Sequence, residues 1–282
     1  MDVRNIVLFR VIHTSAHNSK KEKDMKQKIR IFILVSCAAV CLFSMYQLIS
    51  IQLNYKKGEK LYEDIKQQVV VTNKPTETIT QDKNKESDDK QPLLDISVDF
   101  EALKKINPDI IGWLYLPYGS ISYPLLRGKD NDTYLHQAYD KTPSNFGSIF
   151  MDYRNDNHFT DQRVIVYGHN MKNGSMFGTL KNYCDKTFYE KNKYFFLLTP
   201  KVVYTYRVFS YHEADADGTV YELHDKNDSD YQEFIDMAVK SSYLDTKVKV
   251  SEKNQTITLS TCTSSEAKRF VVHAKLVEEY KK

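Results

Sequence analysis

Apolar and polar positions follow three different patterns along the chain. Residues 31–50, IFILVSCAAVCLFSMYQLIS, carry no charge at all. A helix of about 20 residues rises roughly 30 Å, the thickness of a bilayer's hydrocarbon core. The run therefore predicts a membrane-spanning helix, placed at residues 31–53. Residues 71–92, VTNKPTETITQDKNKESDDKQP, almost lack large apolar side chains. Such a stretch cannot bury enough surface to fold and predicts a flexible tether. Beyond Leu93 the rhythm changes to short apolar runs separated by turn residues: IGWLYLP, ISYPLL, GSIFM, RVIVYGH, YFFLLTP, VVYTYRVFSYHEA, TKVKV, TITLSTC and RFVVHAKLVEE. Their Val, Ile, Tyr and Phe content and frequent alternation predict short strands of a β-barrel or sandwich. Helical spacing appears in VDFEALKKIN, near SMFGTLKNYC, and in DSDYQEFIDMAVKSS, where Asp and Ser supply a cap.

The flanks orient the apolar run. Lys20, Lys21, Lys23, Lys26, Lys28 and Arg30 precede it, whereas Lys56 and Lys57 after it are offset by Glu59, Glu63 and Asp64. The excess of positive charge predicts residues 1–30 inside the cell and the rest of the chain outside. A cleaved signal peptide is the alternative, but the run is long for one and no small-x-small site closes it. Met25 opens MKQKIR, a compact start for such an anchor. Cys37 and Cys41 share one face of the helix and read as ordinary small residues in lipid. The resulting organisation is a cytoplasmic segment at 1–30, the anchor at 31–53, a helix and tether at 54–92, and a folded extracellular domain at 93–282.

Composition narrows the classes. The 282 residues are 41% hydrophobic with a net charge of +3. That is enough for one packed domain, and no basic stripe interleaved with aromatics suggests nucleic-acid binding. The four cysteines form no CxxC pair and no Cys/His ligand spacing, so neither a zinc site nor a disulfide scaffold is indicated. Outside the membrane only Cys184 and Cys262 could pair with each other.

Three polar residues stand where predicted strands end. Cys262 closes TITLSTC, His169 follows RVIVYG, and Arg269 opens RFVVHAKL. Strand ends can converge on one rim of a barrel. A thiol is a latent nucleophile that needs its thiolate form. An imidazole can shuttle a proton to a leaving amine and from an incoming one. A guanidinium keeps its charge and offers a rigid fork of donors to an oxyanion. Taken singly, each has a bland reading: Cys262 as a small buried residue, His169 as a turn histidine, Arg269 as an edge-strand charge. Spacing alone does not choose between these readings.

The segment TLSTC at 258–262 resembles the TLxTC signature of sortases, the transpeptidases of Gram-positive surface proteins. YGHN and KRFVVHAK continue the resemblance, which covers roughly residues 93–282. GSIFMDYRN, IGWLYLP with ISYPLL, and the helix at 228–242 are similar to class B members in particular. The resemblance implies a closed β-barrel with an N-terminal helix and a helix inserted before the last strands. It implies that Cys262 attacks the carbonyl after the Thr of a C-terminal sorting signal on a secreted protein and forms a thioester. His169 would protonate the leaving amine and then activate an amino group of a peptidoglycan precursor, with Arg269 orienting substrate and oxyanion. By position Ser260, Thr261 and Tyr167 would contact substrate. No cofactor and no metal are implied. The loop TSSEAK between Cys262 and Arg269 is shorter than in some class B members, and its Glu266 reads as a solvated charge.

The remaining polar residues read as structural. Cys184 sits in a predicted helix, His273 lies inside a strand, and His158 and His212 have no evident partner. Trp113 reads as core, and Asp152 and Asp156 as turn caps. Two other functions compete with transfer: a cysteine hydrolase using the same residues, and a membrane-tethered binding module in which Cys262, His169 and Arg269 would not converge.

Overall fold

The computed structural model describes residues 3–72, 91–223, 228–263, 265 and 267–282. The chain divides into two compact units, Met1–Lys57 and Gly58–Lys282. Helix α1 (Val3–Val69) runs through the first unit into the second. It includes a stretch long and apolar enough to cross a membrane, within Met25–Val69. The tether expected at 71–92 falls largely outside the described residues.

The second unit starts before the boundary expected at Leu93. Tyr62, Ile65 and Val69, spaced three and four apart on one helix face, are 5%, 1% and 1% exposed. This is the stripe of a helix that packs on a core. Directly after it, β1 (Val70–Thr72) pairs antiparallel with β2 (Ile96–Val98), with Val70 opposite Val98 and Thr72 opposite Ile96. Asp99 then caps α2 (Phe100–Ile106), its carboxylate accepting from the Ala102 N–H at 3.0 Å.

Eight further strands close into a barrel: β3 (Ile110–Tyr115), β4 (Ser122–Arg127), β5 (Ile149–Met151), β6 (Arg163–Tyr167), β7 (Tyr194–Leu198), β8 (Val202–Asp215), β9 (Thr256–Cys262) and β10 (Lys268–Lys281). Their order around the barrel is β10-β8-β7-β3-β4-β5-β6-β9. Full closure leaves no strand edge unpaired in the barrel wall. The expected strand at TKVKV does not form. Those residues make no ladder pairing, Lys247 having a φ of +58°, and Val248 and Val250 instead pack on the cluster around α5 (Asp228–Ser241). Tyr231, Phe234, Ile235 and Ala238 make the buried face of α5 and meet Phe209 of β8 and Val271 of β10. That helix packs over β8 and over Val271 of β10; β9 is buried up to its last residue, and β10 is buried over Phe270–Ala274. Helix α3 (Thr133–His136) and helix α4 (Lys186–Lys191) are too short to have shown a period in the sequence, and the helix expected near SMFGTLKNYC shrinks to a 3-10 turn, Leu180–Cys184.

Under α5 lies a pair of buried histidines. His273 is fully buried, its Nδ1 2.9 Å from the Thr258 hydroxyl, and its ring is 5.1 Å from that of His212. Burial, then His212, then Arg163, hold His273 well below the usual histidine range; burial pushes His212 down to about 4. Both are neutral in the folded protein at pH 7, whereas an unfolded chain protonates them near pH 6.5. Between pH 6.5 and about 4 the unfolded state therefore binds more protons, and stability falls as pH falls. For His212 a gap of this size is worth on the order of 3 kcal/mol once fully expressed. Thermal melts of His212→Gln and the wild type, taken from pH 7 to 4.5, should diverge, with the variant losing less stability on acidification. Parallel profiles would show that the pair does not titrate on unfolding.

Candidate active site

Strand register brings the three strand-end residues together. β6 and β9 run parallel with Tyr167 level with Ser260, so His169 and Cys262, each two residues further on, leave the barrel at the same end. Neighbouring strands lie about 4.8 Å apart. β9 and β10 are antiparallel, and Arg269 is the direct partner of Cys262. Such pairs carry their Cβ atoms about 5 Å apart. His169, Cys262 and Arg269 all line one cleft of about 290 Å³, together with Tyr167, Ser260 and Thr261. All six site residues expected from the sequence thus meet in one place.

Short contacts fix the rim. The Thr261 hydroxyl donates to the Gly168 carbonyl at 2.7 Å, the Gly168 N–H donates to the Ser260 carbonyl at 3.1 Å, and the Asn170 amide donates to the Cys262 carbonyl at 2.7 Å. These bonds tie the end of β6 to the end of β9 just where the cysteine and histidine project. Cys262 itself is exposed and carries a free thiol. The His169 Nε2 is 2.7 Å from the Leu135 carbonyl oxygen. A carbonyl only accepts, so Nε2 carries a proton and Nδ1 is the nitrogen left to exchange one. Arg269 donates from Nη1 to the Lys268 carbonyl at 2.9 Å, which holds its guanidinium at the rim.

One wall of the cleft was not visible in the sequence. Tyr221, from the 3-10 turn Thr219–Tyr221, stacks on Tyr167 with ring centroids 6.2 Å apart, and its hydroxyl is 2.8 Å from the Ser260 Oγ. Two arginines seat this turn: Arg163 donates to the Val220 carbonyl at 3.1 Å while lying over the Phe234 ring, and Arg154 donates to the Tyr221 carbonyl at 3.1 Å. Arg154 also grips Asp152 at 2.9 and 2.7 Å, and Asp152 accepts from the Tyr167 hydroxyl and the Asn131 amide, both at 2.9 Å. Burial pushes the Asp152 carboxyl up, but Arg154 and the other donors outweigh it and the net direction is down. Burial, then the Asp152 charge, raise Tyr167, and burial raises Tyr221, so both phenols stay protonated. Asp152 caps a turn through the Arg154 N–H, as expected, but it also anchors the tyrosine wall. Asn131, Leu135, Phe150, Gly168 and Ala216 complete the lining.

The remaining residues fall elsewhere. Trp113 is core and His273 is a packed histidine, as expected. His158 pairs with Asp156 at 3.0 Å. Cys184 is an exposed free thiol outside the cleft, raised by burial and then by Glu213, and it forms no disulfide with Cys262. Glu266 lies outside the described residues. Among the described residues, no group of three or more His, Cys, Asp or Glu could hold a metal ion.

A closed eight-stranded barrel with a thiol, an imidazole and a guanidinium at one rim defines a class of cysteine enzymes that act on carbonyl substrates. The sortase domain family model matches residues 114–277. Sortase B of Listeria monocytogenes is 40% identical over 178 residues, 62% of this chain and 72% of that protein. Sortase B of Staphylococcus aureus is 37% identical over 182 residues, 64% of this chain and 75% of that protein. The crystal structure of Bacillus anthracis sortase B in complex with AAEK1 superposes with a TM-score of 0.66 at 32% identity, covering 80% of this chain and 99% of that one. A staphylococcal sortase B–substrate complex gives 0.60 at 38% identity, covering 64% and 84%. The chain belongs to the sortase family, among its class B members, and is a sortase transpeptidase.

Proposed function

We propose that this sortase cleaves a C-terminal sorting motif of secreted proteins after Thr, through Cys262, and transfers them to an amino group of peptidoglycan. The observation that carries the reading is the meeting of Cys262, His169 and Arg269 in one cleft. The Cys262 thiol passes its proton to His169 Nδ1 as the sulfur adds to the carbonyl carbon of the scissile peptide, and the carbonyl oxygen becomes an oxyanion facing Arg269. The C–N bond then breaks, and His169 gives its Nδ1 proton to the departing amine. The thioester that remains is attacked by an incoming amine, whose proton His169 Nδ1 accepts; the C–S bond breaks and His169 returns that proton to the departing sulfur, restoring the thiol. Charge-assisted donors on a developing oxyanion contribute most of the rate in acyl transfer. Tyr167, Ser260 and Thr261 line the groove that holds the peptide, with Tyr221 beside them. The existence of a substrate complex of the staphylococcal relative supports a substrate seat in this chain too.

The apolar stretch of α1 serves as a single-pass anchor, with the N-terminus cytoplasmic and the barrel extracellular. Its large apolar side chains from Ile31 to Leu53 are about half or more exposed, as a lipid-facing helix requires. The positive flank of the stretch supports this orientation.

The competing outcome is hydrolysis, which the exposure of Cys262 allows. The full chain in detergent micelles, given sorting-like peptides with and without candidate amines, distinguishes the two by mass spectrometry. Transfer predicts amine-capped N-terminal fragments that grow with amine concentration. Products that stay hydrolysed with every amine would replace transfer by hydrolysis.

A further inference from the structure

The last turns of α1 reach the catalytic histidine through a short series of contacts. Tyr62 is buried, and its hydroxyl donates to the Gly147 carbonyl and lies 3.3 Å from the Ser148 Oγ. Two more tyrosines, Tyr123 and Tyr139, set their rings edge-on to it at 5.4 Å. The seat is reinforced around it. Phe146 lies so close to Gly58 that a methyl group built there would come within 2.4 Å of its ring, and the Asn173 amide donates to Glu59 at 2.7 Å.

Gly147 is itself pressed against the site. Its φ is +56°, a conformation that favours glycine. A methyl group built on it would lie 2.6 Å from the Leu135 carbonyl oxygen, 2.7 Å from that of Tyr134 and 2.9 Å from His169 Cδ2. The next residue continues the contact, the Ser148 N–H donating to the Tyr134 carbonyl at 2.8 Å and its hydroxyl to the Gln137 carbonyl at 2.8 Å. The Leu135 carbonyl is the group that accepts the hydrogen bond from His169 Nε2–H. The 146–148 segment is thus wedged between the Tyr62 hydroxyl on one side and the His169 ring with its carbonyl acceptor on the other.

We propose that Tyr62 is a positioning residue for His169. By fixing the Gly147 carbonyl it holds the edge of the imidazole and keeps Leu135 at the distance that selects the Nε2–H tautomer, leaving Nδ1 for proton exchange. The stalk helix is then part of the catalytic apparatus, as well as its mount. The inference rests on the reading of His169 as the proton-transfer group.

Tyr62→Phe removes only the hydroxyl and keeps the ring in its aromatic seat. The full chain in detergent is treated with iodoacetamide from pH 5 to 10, and alkylation is followed on the peptide bearing Cys262, which needs no substrate. His169→Ala gives the profile of a thiol without its imidazole. Tyr62→Phe should move the wild-type profile toward that of His169→Ala by about half a pH unit. It should lower kcat for peptide cleavage roughly tenfold or more with KM within about twofold. Ile65→Ala, a cavity in the same helix face, should lower the melting temperature and leave the alkylation profile in place. A Tyr62→Phe profile that superposes on the wild type while His169→Ala is displaced overturns this inference alone, as does an Ile65→Ala profile displaced as far as that of Tyr62→Phe. A His169→Ala profile identical to the wild type overturns the proton-transfer reading and takes this inference with it.

Discussion

Cys262→Ala is expected to abolish peptide cleavage, with a fall in kcat of about 10^4-fold or more. Without the sulfur no thioester can form, and among the described residues the cleft lining holds no second thiol. The fold should be untouched. Cys262 is exposed at the last position of β9, while the six residues before it carry the buried part of the strand. Cleavage and melting temperature should therefore separate completely, which mass spectrometry of the products and a thermal melt would show. Cys262→Ser keeps the geometry but replaces the thiol by a hydroxyl that the imidazole cannot ionise to a useful extent, so it should be nearly as inactive. Cleavage that persists in Cys262→Ala would place the chemistry elsewhere.

Arg269→Ala should cost about 10^2- to 10^3-fold in kcat, the range found when a single oxyanion donor is removed. Arg269→Lys tests whether the charge or the shape matters. Lysine keeps the positive charge on a flexible stem but loses the planar fork, so it should recover only a minor part of the loss. Single-turnover rates of thioester formation would check both variants. If Arg269 served only to attract substrate, KM would rise and kcat would hold, and Arg269→Lys would restore most of the activity. Arg269 sits opposite Cys262 across an antiparallel pair, so the loss should appear in the chemical step.

The site was legible in the sequence to the extent that strands carry it. Cys262, His169 and Arg269 each end or begin a run with clear β character; the resemblance to sortases singled them out where spacing did not, and the register of the folded strands places them side by side. What escaped was supplied by the connections. Tyr221 comes from a three-residue 3-10 turn, and Leu135 contributes through its backbone carbonyl, which no residue type announces. Asp152 looked like a turn cap because it is one; its second task, bridging Arg154 and Tyr167, depends on residues that only the fold brings near. The compact unit begins at Gly58, upstream of the Leu93 expected for the folded domain, an expectation set by the polar run at 71–92, which outweighed the signal just before it. Tyr62, Ile65 and Val69 are correctly spaced for a buried helix face, but a single stripe of three is easily lost beside a 20-residue apolar run. TKVKV alternates like a strand, yet Val248 and Val250 find their burial against the α5 cluster and need no ladder partner.

The pairing of β1 with β2 changes what an insertion between them would do. A spacer sets reach only when its two ends can separate. Here Thr72 and Ile96 are held as strand partners, so an insertion between them would act as a loop with fixed ends. Doubling the length of such a loop costs only about 0.6 kcal/mol in closure entropy. Added residues would hang outward like slack in a rope tied at both ends, whereas changes in the length of the helix, at 1.5 Å per residue, would alter the mount itself.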